Sequence, residues 1–365
     1  MASGVRILEH RVQAREKKTL EQFDREIAQR HLRGQWKSDE MLVRCVGGPQ
    51  PAGKPHLWSW SEVYPLLLEA CDVLPESFTA RRHLSYMNPG LERGGATHTI
   101  RMGLQMAQPG ETAWAHRHSI AAIRFVVQGS PQAYTVVDGT VCPMETYDLV
   151  LTPPWSWHDH HNESAERIVW LDVLDASLIA MLNATFYEPY SEERQEVTPA
   201  SEGELRPAQG GGRGPLRYSW VETEKQLQRL AGAKGSPYDG VSLEYVNPMT
   251  AGPALPTLSC WIQMLRPGEQ TERHRHTSSA VYFVVQGDGE TLVGNERIAW
   301  NQHDAFAVPN WSWHEHRNRS KTEAAILFSV NDIPVFRALG LYREEPGETV
   351  QSAPALLLPF PSAGR

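Results

Sequence analysis

The sequence is poor in features that would each indicate a particular class of protein. It has four cysteines among 365 residues, too widely spaced for a zinc ribbon or a disulfide framework: Cys45, Cys71, Cys142 and Cys260. No apolar run approaches the roughly 20 residues that a membrane span requires, and Met1–Lys18 lacks the apolar segment of a signal peptide. These absences predict a protein of the reducing cytoplasm that has no membrane partner.

Positive charge is also scarce. The formal net charge is -8 and no basic run reverses it, so the sequence predicts no nucleic-acid partner. The hydrophobic content of 41% and the charged content of 21% are those of an ordinary globular protein, and the length predicts two or three domains. Histidine and tryptophan are abundant instead, with 15 and 12 copies, and several of each fall in two short regions.

The first of these regions places two histidines on a predicted strand. His116 and His118 are two residues apart, so their side chains point to the same face of a strand. The β-branched and aromatic run Ile123–Val127 continues the β pattern, and a third histidine, His158, follows a Pro-Pro-Trp-Ser-Trp turn. Three neutral imidazoles suit iron, zinc, copper or nickel and leave coordination positions open, as in a catalytic metal site.

The same pattern returns later in the chain as His274, His276 and His314. The offsets are 274 − 116 = 158 and 314 − 158 = 156, and the Phe-Val-Val-Gln-Gly and Trp-Ser-Trp-His motifs repeat at similar distances. A single His-x-His pair is more often a surface or core feature than a metal site. Its recurrence with matched spacing predicts two metal sites and a tandem duplication.

Short predicted strands separated by turns indicate that each repeat is a β-barrel or sandwich. The predicted divisions are an N-terminal helical extension at 1–80, a first β-domain at 81–184, a linker with a helix at 185–240, a second β-domain at 241–337 and a tail at 338–365. Helical periodicity covers residues 6–33, and another helix begins near Trp58 with Ser61 as its N-cap.

Each repeat resembles a cupin domain. The residues that match the two cupin motifs are Gly110, His116, His118, Gly129, His158 and Asn162, with His314 and Asn318 in the second repeat. The glutamate that usually follows His-x-His is absent, since Ala122 and Ile123 stand there, which disfavours the oxalate-oxidising and oxalate-decarboxylating cupins. The resemblance implies a mainly β bicupin, with two tandem double-stranded β-helix (jelly-roll) barrels and with N-terminal and interdomain helices.

A narrower resemblance rests on His-Arg-His followed five residues later by Arg-Phe-Val, on Trp-His-Asp-His and on Trp-Leu-Asp at 170–172. These motifs are similar to those of the gentisate 1,2-dioxygenase family, with its salicylate and 1-hydroxy-2-naphthoate relatives, over roughly residues 58–335. The resemblance implies an Fe(II)-dependent homotetramer that uses O2 to open a small aromatic acid between its hydroxyl-bearing and carboxyl-bearing carbons. Gentisate, giving maleylpyruvate, is the first-choice substrate, and salicylate and 1-hydroxy-2-naphthoate are the alternatives.

Arg124 and Asp172 are candidate catalytic residues. Arg124 lies six residues after His118, an even spacing that puts it on the inward face of a regular strand, where its guanidinium would bind the substrate carboxylate. The alternative is an outward surface arginine. Asp172 would orient a ligand histidine or Arg124, or else it is a polar residue at the end of a strand.

Three more residues complete the site that the resemblance implies. His160, two residues after the third ligand, would contact substrate or act in acid–base chemistry, or else it is a turn residue without a role. The family has a substrate-contacting arginine at Arg82 or at its neighbour Arg81, and a small residue against the substrate ring at Gly103. Arg101 stands where relatives carry an aromatic residue.

The second histidine set has different neighbours. Tyr282 occupies the position of Arg124, and His316 that of His160. Without the arginine, this set should bind metal with weak or no turnover; alternatively, it is a second active site anchored by Tyr282. From other functional classes, the chain could be a non-catalytic bicupin, or a metal-dependent isomerase or hydrolase that consumes no oxygen.

Overall fold

A computed structural model describes residues 18–74, 82–198 and 214–347 of the chain, which divides into two compact units, 1–50 and 51–365. In the first unit, α1 covers Leu20–Ala28, a 3₁₀ helix covers Gln35–Ser38 and α2 covers Asp39–Arg44. Thr19 and Gln22 form a capping box that begins α1. The helix predicted at 6–33 is thus limited to α1 in its described part, and residues 6–17 lie outside the described residues.

The larger unit consists mainly of β-strands in two similar halves. The elements of its first half are β1 (His56–Trp58), α3 (Trp60–Val73), β2 (Arg82–Ser85), β3 (Arg101–Ala107), β4 (Thr112–His118), β5 (Ala122–Gln128), β6 (Ser130–Val137), β7 (Thr140–Met144), β8 (Leu149–Thr152), β9 (His158–Asn162), β10 (Ile168–Leu174), α4 (Ala176–Met181) and β11 (Tyr187–Pro189). Those of the second half are β12 (Arg217–Tyr218), α5 (Trp220–Arg229), β13 (Val241–Glu244), β14 (Val246–Asn247), β15 (Gly252–Pro253), β16 (Ser259–Leu265), β17 (His274–His276), β18 (Ala280–Gln286), β19 (Gly289–Val293), β20 (Glu296–Trp300), β21 (Ala305–Val308), β22 (His314–Asn318), β23 (Ala325–Asn331), α6 (Ile333–Ala338) and β24 (Glu344–Pro346).

The strands form two barrels, and each barrel consists of one six-stranded and one five-stranded antiparallel sheet. The strand orders in the first barrel are β12-β8-β5-β10-β3-β2 and β11-β4-β9-β6-β7. In the second barrel they are β1-β21-β18-β23-β16-β13 and β20-β19-β22-β17-β24. The matching orders follow from the sequence duplication and confirm the two predicted barrels. In the described ranges, no helix is both long and apolar enough to cross a membrane.

The two six-stranded sheets share an apolar core between the barrels. The ring of Phe125 on β5 stacks on that of Phe328 on β23, with centroids 4.2 Å apart. Alternate residues of β5 divide between two cores, since Ile123 and Phe125 face the shared core and Val126 packs in the interior of the first barrel. Burial on both faces explains why this strand is a continuous apolar run in sequence.

Each barrel receives a short strand from the chain that precedes the other repeat. β1 pairs with β21 of the second barrel, and β12 pairs with β8 of the first. The helices that follow are capped across the same boundary, because the Trp60 N–H donates to Asp304 Oδ1 and the Trp220 N–H donates to Asp148 Oδ1, each at 2.8 Å. The predicted cap at Ser61 is therefore wrong: α3 begins after Ser59, and a distant aspartate takes over the capping.

The predicted linker and tail contain strands of the barrels. β11 and β12 lie in the predicted linker 185–240 and pair with strands of the first barrel, while β24 lies in the predicted tail and pairs with β17. Strands of two or three residues leave little periodicity to detect, which explains why the sequence did not reveal them. The glycine-rich part of the linker, 199–213, lies outside the described residues, and the domain boundaries stay predictions.

The exchanged helix caps lead to a stability prediction. Replacing Asp304 by alanine should lower the free energy of unfolding by about 1–2 kcal/mol, because it leaves the partly buried Trp60 N–H without its acceptor. Urea unfolding followed by tryptophan fluorescence measures this. Asp288→Ala, which removes a half-exposed ion pair with Arg319, is the control and should change the free energy by less than about 1 kcal/mol. Equal losses in both variants would contradict a capping role for Asp304.

Candidate metal centres and active site

The first histidine set meets where two neighbouring strands run side by side. β4 carries His116 and His118, and β9 places His158 directly opposite His116. The three imidazoles are buried, and one ring nitrogen from each lies within 4.8 Å of the others. The predicted triplet is therefore assembled with a geometry that suits a single metal ion.

The ring orientations of this set also fit a metal. Each Nδ1 donates to a backbone carbonyl two residues away, and the three acceptors are Trp114 O at 2.7 Å, Ile120 O at 2.8 Å and Ser156 O at 3.0 Å. This assignment puts the proton on Nδ1 and leaves the lone pair on Nε2. His158 Nε2 is buried and makes no hydrogen bond with any described residue, as expected of an atom that faces a metal.

Burial keeps these imidazoles neutral. Desolvation lowers the pKa of His158 well below its usual range, and the nearby His116, His118 and Arg124 lower it further. Neutral imidazole is the form that binds metals. Protons therefore compete weakly for His158 at neutral pH.

The second set is similar, except that His274 Nδ1 makes no hydrogen bond with any described residue, whereas Nδ1 of His276 and of His314 donates to a backbone carbonyl. β17 and β22 place His274 opposite His314, and the ring nitrogens of these two and His276 lie within 4.8 Å of one another. Desolvation, with His276 and His316 nearby, lowers the pKa of His274 to about 3, and burial also lowers the pKa values of His276 and His314. His314 Nε2, like His158 Nε2, is buried without a hydrogen bond to any described residue. Both sets thus fit a metal ion.

Arg124 and Asp172 lie together on the inner face of the first barrel. β10 runs between β5 and β3, and in this register Asp172 is opposite both Arg124 and Gly103. Arg124 is 3% exposed, its Nε lies 3.8 Å from Asp172 Oδ1, and its Nη1 donates to the hydroxyl of Thr152. Arg124 is thus a buried cation close enough to lower the pKa of His158, which excludes an outward surface position.

His160 is placed beside the metal ligands. It is 2% exposed, and its ring centroid lies 5.8 Å from that of His158, the next inward residue on β9. Its Nδ1 is 2.8 Å from the Thr135 hydroxyl, so a contact with substrate would fall to Nε2. His316 repeats this arrangement in the second barrel, 2.9 Å from Thr291.

Gly103 has a neighbour that sequence reasoning missed. A Cβ atom on Gly103 would clash with the backbone oxygen of Leu84 and would lie 2.8 Å from Nε2 of His83, so this backbone and the His83 ring together leave no room for a larger residue at 103. His83 pairs with Gln105 on β3, and Gln105 shares the inward face with Gly103. The sequence signal was the alternation along β2, which puts Arg82 and His83 on opposite faces.

The structure does not bring Arg82 to this site, which corrects the predicted substrate contact. Arg82 pairs with Met106, whose side chain packs in the shared core, and its guanidinium forms an ion pair with Glu111. A step of one residue along a strand reverses the face, so the assignment was sensitive to the register. Arg81 lies outside the described residues.

The second barrel has different residues at the positions of Gly103, Arg124 and Asp172. Ser329 is opposite both Trp261 and Tyr282, as Asp172 is opposite Gly103 and Arg124. Tyr282 stacks on Phe306 with ring centroids 4.8 Å apart. A cavity of about 150 Å³ beside His274 and His276 is lined by Trp261, Tyr282 and Ser329. An indole and a phenol therefore stand where the first barrel has a glycine and a buried cation.

Comparisons with known proteins agree with this construction. Residues 103–174 and 261–330 match the Cupin domain family. The chain is 46% identical over 356 residues to 1-hydroxy-2-naphthoate 1,2-dioxygenase of Nocardioides sp. (strain KP7), covering 94% of this chain and 92% of that protein. It is 43% identical over 341 residues to 5-aminosalicylate 1,2-dioxygenase of Comamonas sp., covering 89% and 90%.

A solved structure of a related enzyme has the same fold. The fold matches that of salicylate 1,2-dioxygenase from Pseudoaminobacter salicylatoxidans, described as adducts with gentisate, with a TM-score of 0.79 and 28% identity over 93% of this chain and 96% of that one. The predicted bicupin fold is confirmed, and the matches span nearly the whole chain. The chain therefore belongs to the gentisate 1,2-dioxygenase family of ring-cleaving bicupin enzymes, oxidoreductases that incorporate both atoms of O2 into an aromatic acid.

Proposed function

We propose that the first barrel holds Fe(II) at His116, His118 and His158 and cleaves an ortho-hydroxybenzoate between its hydroxyl-bearing and carboxyl-bearing carbons. The observation that carries this proposal is the burial of Arg124 beside the three histidines. Arg124 is 3% exposed on the inner face of the barrel, and its Nε lies 3.8 Å from Asp172 Oδ1. A substrate carboxylate at the metal would meet this buried cation in the bidentate geometry that guanidinium favours.

The protein's own groups bind and orient the aromatic acid. Arg124 binds the carboxylate, and Asp172 and Thr152 hold its guanidinium in place. His160, fixed through Nδ1 by Thr135, accepts the proton of the substrate hydroxyl at Nε2, so that the ring enters the reaction as a phenolate. Bound Fe(II) supplies the coordination positions and the electron transfer through which the aromatic acid and O2 react.

The choice of substrate follows from the relatives as much as from the residues. Gentisate, the first choice from sequence, remains a candidate, as does salicylate. We place 1-hydroxy-2-naphthoate and 5-aminosalicylate ahead of them, because relatives that share 46% and 43% of residues with this chain carry those names. All four acids share the hydroxyl group next to the carboxylate, which is the feature that Arg124 and His160 would recognise. The tetramer and the cytoplasmic location stay predictions.

We also propose that the second barrel binds metal without cleaving aromatic acids. Tyr282 is neutral, since burial, together with the nearby Asp239, raises the pKa of its hydroxyl far above neutral pH. Trp261 and Ser329 replace Gly103 and Asp172, and no cation occupies the position of Arg124. The charged residues that line this cavity are Arg337 and two carboxylates, Asp239 and Glu344. An anionic ring therefore has a weaker binding site here than in the first barrel.

Oxygen uptake tests the proposed reaction. Protein loaded anaerobically with Fe(II) should consume one O2 for each aromatic acid and produce the absorbance of a ring-opened product. The four acids are offered separately, with benzoate as the control, because it has the carboxylate and lacks the hydroxyl. Uptake with at least one hydroxy acid and none with benzoate is the expected result. Iron-loaded protein that consumes no O2 with any of the four would contradict ring cleavage.

A further inference from the structure

We infer that Asp175 and Asp332 are positioning residues, each of which orients one metal-ligand histidine while being held by a threonine of the other barrel. The inference rests on the proposed metal binding, and its test measures metal binding directly. Asp332 does not line the cavity beside His274 and His276. Both aspartates lie at the boundary between the barrels, at 2% and 1% exposure.

In the first barrel, the connection runs through a single peptide group. Ile120 O accepts the proton of His118 Nδ1 at 2.8 Å, and the N–H of the same peptide, contributed by Ala121, donates to Asp175 Oδ1 at 2.9 Å. The other carboxylate oxygen, Oδ2, accepts from the Thr257 hydroxyl at 2.6 Å. Thr257 precedes β16 of the second barrel, so a residue of that barrel holds the group that holds His118.

The second barrel contains the same connection, with the roles of the two barrels exchanged. Ser278 O accepts from His276 Nδ1 at 2.8 Å, and the Ser279 N–H of that peptide donates to Asp332 Oδ1, also at 2.8 Å. Asp332 Oδ2 accepts from the hydroxyl of Thr99, which precedes β3 of the first barrel. The offsets are 276 − 118 = 158, 332 − 175 = 157 and 257 − 99 = 158, so the duplication repeated every member of the connection.

The chemistry of the connection favours a role at the metal. A buried carboxylate polarises the peptide whose N–H it accepts, which strengthens the carbonyl as an acceptor for Nδ1–H. A stronger bond at Nδ1 fixes the ring and makes Nε2 a better metal ligand. Among the described residues neither aspartate has a charged partner, and burial raises the pKa of both, so burying these carboxylates is unfavourable in itself. A neutral side chain could make a purely structural hydrogen bond without this desolvation cost.

The consequence is that each metal site depends on a hydroxyl from the opposite barrel. Removing the Thr257 hydroxyl loosens Asp175, then the peptide at 120–121, and then the His118 ring. Removing the Thr99 hydroxyl acts in the same way on His276 and leaves His118 unaffected. The two threonines thus form a pair of matched substitutions with opposite expected targets.

Co(II) binding tests the inference site by site. The full chain is made with His314→Ala, to leave only the first set, or with His158→Ala, to leave only the second, and Co(II) affinity is measured by competition with a chelator. With the first set alone, Asp175→Ala should weaken binding about tenfold, the lower end for residues that orient metal ligands. Thr257→Val should weaken it severalfold and change the visible Co(II) spectrum, and Thr99→Val should change neither. With the second set alone, the effects of the two threonine variants should be exchanged.

The outcomes separate the inference from a general loss of stability. Asp175→Asn keeps an oxygen that can accept from Ala121 but loses the charge that polarises the peptide, so its Co(II) affinity should lie between those of Asp175→Ala and the parent. Threonine variants that weaken both sites equally, or a folded Asp175→Ala that binds Co(II) like its parent, would overturn the inference. If Asp175→Ala does not fold, unchanged first-site affinity in Thr257→Val overturns it. Parents that bind no Co(II) at all would instead refute the proposed metal function, and the inference with it.

Discussion

Replacing His158 by alanine should abolish ring cleavage, while the same change at His314 should leave it nearly intact. His158 supplies one of three ring nitrogens that lie within 4.8 Å of one another, and its Nε2 has no other described partner. A catalytic metal stabilises a transition state by several kcal/mol, so its loss corresponds to at least about a 1,000-fold decrease in kcat/KM. His314 supplies the equivalent atom in the second barrel, which has Tyr282 at the position of Arg124, so its loss should leave ring cleavage in the first barrel nearly intact.

The measurement combines iron content with oxygen uptake for the two variants side by side. Each variant should lose about half of the iron bound by the parent, and only His158→Ala should lose activity. A His158→Ala enzyme that retains more than a tenth of the parent rate would refute the assignment of the first barrel as the active one. If only His314→Ala lost activity, the second barrel would be the one that carries out the reaction.

Replacing Arg124 by methionine should lower kcat/KM about 100-fold or more without changing the iron content. The buried guanidinium is the cation beside the metal ligands, and leaving one partner of a buried, hydrogen-bonded charge pair alone costs about 2–5 kcal/mol. Because the carboxylate is bound in both the ground state and the transition state, most of the effect should be a higher KM. Steady-state oxygen uptake over a range of substrate concentrations separates KM from kcat.

Arg117→Met is the matched control for this variant. Arg117 lies between the two histidines of β4, but its guanidinium stacks on Trp157 at 4.5 Å and pairs with Glu188 on the outside of the barrel. Its loss should change KM by less than about threefold, since a surface ion pair contributes little. Equal increases in KM for the two variants would show that Arg124 does not act through its position on the inner face.

The sequence alone determined the repeat, both histidine triplets and the inward position of Arg124. Each of these depends on short-range spacing, such as His-x-His on one strand or six residues between His118 and Arg124, and a strand alternates its faces wherever it is placed. Duplication made the signal stronger, because a spacing found twice at an offset near 158 is unlike chance. The resemblance to a known family then narrowed the predicted function from a three-histidine metal site to a ring-cleaving dioxygenase.

Only the tertiary structure decided which strands pair and in which register. Arg82 faces the shared core because β2 pairs Arg82 with Met106, and a shift of one residue would have turned it inward. The exchange of β1 and β12 between the barrels, and the hydroxyls that reach Asp175 and Asp332 from the opposite barrel, join residues 67 to 251 positions apart. Such contacts follow from the packing of two sheets around a common core, and no local pattern in the chain encodes them.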